Sequence, residues 1–507
     1  MEKKKKSTIS FLNEKLHTPI WLFILLLGVL ILRIPSFFEP YSYGDEMIYL
    51  TLGEAVRRGI PLYSQVHDNK PPLLYIIAAI AGSLFWFKAI LAAWMLATIF
   101  IFWKLTEVLY PKNIRLQKVA TIAFALLTTL PLLEGNIVNA EVFMIGPTIL
   151  AFYVLISKAL TPKRLFISGI LLSASTLFKV PALFDVPTII IFWLVSIKKL
   201  NSNTFGKITK STLYLLAGFF LPILITFVWY FLNGALNEYI KAAFLQNIGY
   251  LSSFRPGDVQ KPFLNRNAPL LFRGLILSFS IGLLYFYRKK ISKEFIFTTA
   301  WLMFTLFAVT LSERPYPHYL IQSVAPISIL IGIFAAHKNI EQVIAIIPLT
   351  LTYFVPVYYH FWHYPTASYY IRFINFASGK ISQEEYLKSF GDNVIRNYRI
   401  SNFLATSSKS DEKIFVWGDS SVIYALSRRM PPIKYVADYH IKDFSTNDEV
   451  INTLTSNLPG FIAILPDSPP FPELSLLLNK NYALTSEFDG AKIWKLLSPK
   501  VRSLISS

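Results

Sequence analysis

Long apolar stretches recur from Ile20 to Tyr358, and no other property of the chain restricts its fold so strongly. A helix needs about 20 apolar residues to cross a hydrocarbon core of about 30 Å. In lipid, only helices and closed barrels satisfy every backbone N–H and C=O internally. Spans are expected at Ile20 to Phe38, Lys88 to Leu109, Lys118 to Leu133, Val142 to Ser157, Leu165 to Phe178 and Pro181 to Ile197. Further spans are expected at Thr212 to Leu232, Ala268 to Tyr287, Glu294 to Leu311, Tyr319 to Ala336 and Ile340 to Tyr358, about eleven in all.

Composition agrees with this class. Of 507 residues, 54% are hydrophobic and only 16% charged, more apolar than a soluble core requires. The formal charge of +19 does not point to nucleic acid. The bases sit in short clusters between apolar runs, at Lys3 to Lys6, Lys198 with Lys199, and Arg288 to Lys290, which is the pattern that orients a protein in a bilayer. Without cysteine there is no disulfide, thiolate metal site or thiol nucleophile. The start, MEKKKK before the apolar run Ile20 to Phe38, reads as a retained signal anchor with a cytoplasmic amino terminus.

The stretch Pro72 to Phe87 decides the topology. As a helix it covers only about 24 Å, and as a span it would turn Lys112, Arg115, Lys198, Lys199 and Arg288 to Lys290 outward, against the positive-inside rule. It is therefore expected to be re-entrant or interfacial. The loops around Asp45, Glu134 to Glu141, Lys179, Gly234 to Asn267 and Ser312 to His318 then face outward, together with the carboxyl terminus. From Pro365 the apolar runs shorten and the charges scatter. EKIFVWGDSS, PGFIAILPDS and AKIWKLL read as short buried strands, and ISQEEYLKSF as a helix. The expectation is a transmembrane domain over residues 1–364 and a small extracytoplasmic α/β domain over 365–507, in a multi-pass protein of the cell membrane.

The outward loops gather groups suited to chemistry. Asp45 and Glu46 open an amphipathic stretch. A carboxylate there can deprotonate an acceptor hydroxyl or hold a divalent metal ion, and the alternative is a helix cap or first-turn dipole partner. Lys70, fixed ahead of Pro71 and Pro72 and preceded by Asp68 and Asn69, suits a phosphate. Lys179 in FKVPALFD lies where the positive-inside rule disfavours it, which calls for an anionic partner or for snorkelling. Asn136, Asn139 and Glu141 in EGNIVNAEVF either face a common cavity or cap a helix. Arg314 and His318 in ERPYPHY suit phosphate, and His318 equally an interfacial anchor. The loop ALNEYIKAAFLQNIGYLSSFRPGD is a lid carrying Arg255 as an anion contact, or a passive interfacial helix. His360 and His363 have metal-ligand spacing but no third ligand nearby, and suit the aromatic belt better.

The order of these motifs, DE with an amphipathic helix, DNKPPLLY, NAEVF, FKVPALF and RPYPHY, resembles the GT-C glycosyltransferases. The likeness is to the bacterial branch related to protein O-mannosyltransferases and lipid A aminoarabinose transferases, and it covers most of residues 1–364. It implies a GT-C-like polytopic α-helical fold and an inverting transfer of a sugar from a polyprenyl-phosphate donor to a hydroxyl on an acceptor protein, lipid or glycan outside the membrane. On that resemblance Asp45 matches the catalytic Asp and Glu46 completes the acidic pair. Lys70 matches the Lys-Pro lysine, Glu141 an acid of the second outward loop, and Lys179 a cation toward the donor phosphate. Lys70, Lys179, Arg255, Arg314 and His318 form the expected phosphate-binding set, with Asp68, Asn69, Asn139 and Glu141 in support. Asp45 and Glu141 are the candidate ligands should a divalent metal ion take part. The chain departs from the aminoarabinose transferases in carrying Asn69, not an acid, immediately before Lys70. The rival class is a transporter or lipid flippase, but transporters hold ionisable groups near the bilayer midplane, and here they collect at the outer face.

Overall fold

The computed structural model describes residues 18–197, 201–249, 262–336, 338–419 and 421–506. Lys3 to Lys6, Lys198, Lys199 and Arg255 lie outside the described residues. Eight described helices are long and apolar enough to cross a membrane: Ile20–Phe38, Leu84–Leu109, Ala140–Ser157, Ser202–Leu232, Phe263–Tyr287, Lys293–Thr310, Pro317–Ala336 and Ile340–Tyr358. They coincide with eight of the expected spans. The other three expected spans are also helical but shorter, as Ile114–Leu127, Pro162–Phe178 and a 3-10 turn leading into Val186–Val195. Within the Pro72 to Phe87 stretch lies a separate helix of nine residues, Leu73–Ala81, about 14 Å and too short to cross, while Leu84 to Phe87 already open Leu84–Leu109. Gly82 stops it in the left-handed conformation, with φ of 65°.

The chain divides into two compact units. The first comprises Met1–Phe37, Lys88–Phe227 and Asn247–Ala367 and holds most of the membrane helices. Where Pro162–Phe178 crosses Ser202–Leu232, the backbones touch: a Cβ on Gly169 would stand 2.0 Å from the Leu215 carbonyl oxygen, and one on Gly218 2.0 Å from that of Phe166. Small residues at such a crossing allow the close approach that packs helices in lipid. Large side chains such as Phe272, Phe279 and Phe286 on Phe263–Tyr287 are exposed, as lipid-facing positions are.

The second unit comprises Phe38–Phe87, Val228–Gln246 and Ser368–Ser507. Its sheet contains β1 (Ile414–Trp417), β2 (Phe461–Ile464), β3 (Tyr482–Phe488) and β4 (Ala491–Leu496) in the order β1-β2-β4-β3. β1 and β2 are parallel, and the other pairings antiparallel. Three of these strands are those read from the sequence. The hairpin β3–β4 turns through Asp489 and Gly490, both at positive φ, as a tight hairpin with this right-handed twist requires. The helix expected in ISQEEYLKSF is Gln383–Lys388, begun by a capping box between Ser382 and Glu385. In the same unit the amphipathic helix Gly44–Arg57 packs on Leu73–Ala81 so closely that a Cβ on Gly53 would lie 2.7 Å from the Ala78 carbonyl carbon.

Candidate active site

In the second unit, Asp45 and Glu46 occupy the first turn of Gly44–Arg57, where the helix dipole favours anions, while the N-cap is Tyr43. Glu46 is buried and Asp45 partly exposed. One turn on, the Tyr49 hydroxyl donates to Asp45 Oδ2 at 2.9 Å, and the Lys70 ammonium lies 5.0 Å from the centre of the Tyr49 ring. A cation over an aromatic face is held electrostatically.

Lys70 also lies 3.6 Å from Asp68 Oδ2. Asp68 is buried and accepts from the Tyr75 hydroxyl at 2.8 Å and from the Asn69 backbone N–H at 2.7 Å. Burial opposes its ionisation, but Lys70, His440 and the two hydrogen bonds outweigh it and hold the carboxyl below its ordinary pKa. Asp68, one residue ahead of Asn69, is thus the carboxylate turned onto the lysine. The loop's path is fixed by Tyr63, whose hydroxyl donates to the Lys70 carbonyl at 2.8 Å and whose ring packs against Tyr230 and Tyr239. Tyr239 belongs to Leu236–Ile240, the start of the expected lid, which continues as a π-helical turn over Lys241–Leu245.

The carboxyl-terminal residues complete this surface. Ser421 Oγ donates to the Gly44 carbonyl at 3.0 Å, and the His67 backbone N–H donates to the Lys434 carbonyl at 2.8 Å. His440 Nε2 stands 3.6 Å from Asp68 Oδ1. Tyr49, Tyr75, His67 and His440 were not anticipated from sequence. Only Tyr49 carried a signal, its i+4 spacing from Asp45 on one helix face.

In the first unit a second polar cluster forms. Lys179 ends Pro162–Phe178 and is ion-paired to Glu141 in the first turn of Ala140–Ser157. Its ammonium lies 3.8 Å from the Tyr319 ring centre. His318 bridges two buried carboxylates, with Nδ1 bound to Glu134 and Nε2 3.7 Å from Glu141. Asn139 Nδ2 donates to Glu134 at 3.3 Å, and buried Lys88 donates to the Asn136 carbonyl at 2.9 Å. Lys179 thus has an anionic partner and does not simply snorkel, and Glu141 is ion-paired, with no side-chain cap at Asn139. Glu134 and Lys88 were not singled out from sequence. Glu134 sits at φ 57° after the turn Pro131–Leu133, and that backbone aims its side chain inward. Arg314 is partly buried on the turn ahead of His318. Arg273 pairs with Glu313 and lies 2.9 Å from the Tyr359 hydroxyl, beside an apolar cavity of about 550 Å³.

Among the described residues no group of three or more His, Asp or Glu side chains is arranged to hold a metal ion. The two candidate ligands already have protein partners, Tyr49 for Asp45 and Lys179 with His318 for Glu141.

No protein-family model matches the sequence, and no curated protein matches it. Among solved structures the chain is similar to ArnT from Cupriavidus metallidurans bound to undecaprenyl phosphate, with a TM-score of 0.56 and 11% identity over 94% of this chain and 98% of that one. The apo form of the same ArnT gives a TM-score of 0.53 and 11% identity over 94% and 97%. The archaeal oligosaccharyltransferase AglB from Archaeoglobus fulgidus, in complex with an inhibitory peptide and a dolichol-phosphate, gives 0.44 and 12% identity over 88% and 69%. The ArnT likeness extends over nearly the full length of both chains and shows the fold: a polytopic GT-C architecture with a small carboxyl-terminal sheet.

Proposed function

We propose that this protein is a membrane glycosyltransferase that moves a sugar from a polyprenyl-phosphate donor to an acceptor hydroxyl on a protein, lipid or glycan. The observation that carries this reading is the juxtaposition in one loop of an oriented carboxylate, Asp45, and a caged ammonium, Lys70, each touching Tyr49, on a fold shared with a protein solved with undecaprenyl phosphate. A phosphate leaving group and a hydroxyl nucleophile need these two charges.

Asp45 takes the acceptor proton as the hydroxyl oxygen bonds to the anomeric carbon. The carbon–oxygen bond to phosphate breaks, its electron pair leaves with the phosphate, and Lys70 stabilises that growing charge. Attack opposite the leaving group inverts the anomeric centre. Glu46, buried behind Asp45, completes the acidic pair that the family resemblance assigns. The same resemblance assigns Lys179 to the phosphate-linked donor and Glu141 to the acid of the second outward loop, while Arg255, Arg314 and His318 are added to the phosphate-binding set by their charge alone, with Asp68, Asn69 and Asn139 in support. The distribution of basic residues supports a cytoplasmic amino terminus and reaction at the outer face.

The test is transfer of labelled sugar from a polyprenyl phosphate by the purified protein. Asp45→Asn is expected to lower turnover by roughly 10²-fold or more while leaving lipid binding intact. Near-normal turnover in that variant would overturn the assignment.

A further inference from the structure

The sequence offers no chemistry for the carboxyl-terminal domain, yet one of its side chains reaches the first loop. His440 lies in Asp438–Phe444, is 1% exposed, and presents Nε2 3.6 Å from Asp68 Oδ1. The two oxygens of Asp68 divide their work. Oδ2 faces the Tyr75 hydroxyl at 2.8 Å and Lys70 at 3.6 Å, while Oδ1 faces the Asn69 N–H at 2.7 Å and His440. The rings of His67, Tyr439 and Phe444 pack around the imidazole, and its Nδ1 has no hydrogen-bond partner among the described residues. Burial lowers the His440 pKa against the opposing pull of the Asp68 carboxylate.

We infer that His440 is a positioning residue supplied by the carboxyl-terminal domain, which fixes Asp68 and through it the direction in which Lys70 presents its ammonium to a phosphate. This rests on the reading of Lys70 as a contact to the donor phosphate. The physical reason is preorganisation. A lysine has a flexible four-carbon stem, and its charge counts most when a rigid supporting shell fixes it in advance. Here the shell is Asp68, the Tyr49 ring and, one step behind, the imidazole.

The full-length protein in nanodiscs, titrated with undecaprenyl phosphate and with undecaprenol as the phosphate-free control, tests this. The amide of His440→Gln reaches the position of Nε2, whereas that of His440→Asn reaches only that of Nδ1. The Gln variant is expected to bind undecaprenyl phosphate within about twofold of wild type, and the Asn variant roughly five- to tenfold more weakly, with undecaprenol binding unchanged in both. In a Lys70→Met background the two variants are expected to bind alike, because the lysine through which His440 acts is gone. Equal binding by the Gln and Asn variants in the Lys70 protein, or an unchanged Asn effect in the Lys70→Met protein, overturns the inference and leaves the donor reading standing. A wild-type protein that fails to prefer the phosphate over the alcohol overturns the donor reading, and the inference with it.

Discussion

The Tyr49 hydroxyl donates to Asp45 Oδ2 across one helical turn, while the face of the same ring lies under Lys70. The residue that orients the proposed base therefore also steadies the proposed phosphate contact. Tyr49→Phe separates the two roles, since it keeps the ring and removes the hydrogen bond. Sugar transfer by this variant should be slower by roughly tenfold, the loss expected for a misoriented proton acceptor. Lipid-phosphate affinity should stay near wild type, and initial rates beside a binding titration check both.

Lys179 and Glu141 form a pair with little access to solvent, and breaking such a pair from one side strands a charge. Lys179→Met should destabilise the protein by about 3–5 kcal/mol, seen as a lower thermal midpoint in detergent. Adding Glu141→Gln should recover most of that loss, because the stranded carboxylate is gone. Activity should stay low in the double variant if Lys179 serves the donor. Recovery of both together would reduce the pair to a structural role.

Acid should loosen the second unit. Burial pushes His67 down to about 4 from an ordinary 6.5. Between these values the folded chain keeps the ring neutral while an unfolded histidine takes up a proton. The unfolded state then binds more protons, so stability rises with pH across the window, by up to about 3 kcal/mol in all. Asp68 acts in the same sense at lower pH: its pKa is depressed, so its contribution is present above the unfolded value and lost as pH falls through the folded one. His67→Phe should flatten the thermal midpoint between about pH 6.5 and pH 4. An unchanged slope in that variant would remove His67 as its source.

Gly53 has no room for a side chain against Ala78 and Ala79. Gly53→Ala should push apart the helices that carry Asp45 and follow Lys70, costing about 1–3 kcal/mol. Activity should fall further than stability alone explains, since the loop geometry shifts with the helices. Comparing rates well below the thermal midpoint of the variant isolates that component.

The sequence disclosed some of these residues and hid others for definable reasons. Asp45, Lys70, Glu141, Lys179 and His318 stand in short polar runs between apolar ones, where an ionisable group is conspicuous. His440 lies in ADYHIKDF, an ordinary amphipathic stretch, and nothing local indicates that its partner is Asp68. Glu134 depends on one left-handed backbone position to turn inward, which side-chain patterns do not report. The strand Tyr482–Phe488 carries the exposed pattern of a sheet edge and so lacks the apolar run that marked its three neighbours. The helices Ile114–Leu127 and Pro162–Phe178 were visible as apolar segments, but their ends are set by Asn113 and Thr161 caps that hydropathy does not weigh.

The second unit is assembled from Phe38–Phe87, Val228–Gln246 and Ser368–Ser507, and this constrains how the protein can be recombined with a relative. A chimera joined at a single point near residue 365 would set a foreign carboxyl-terminal domain against native Gly44, His67 and Asp68, and so lose the partners of Ser421, Lys434 and His440. The exchangeable module is discontinuous. A graft intended to carry specificity from one protein to another must move all three segments together.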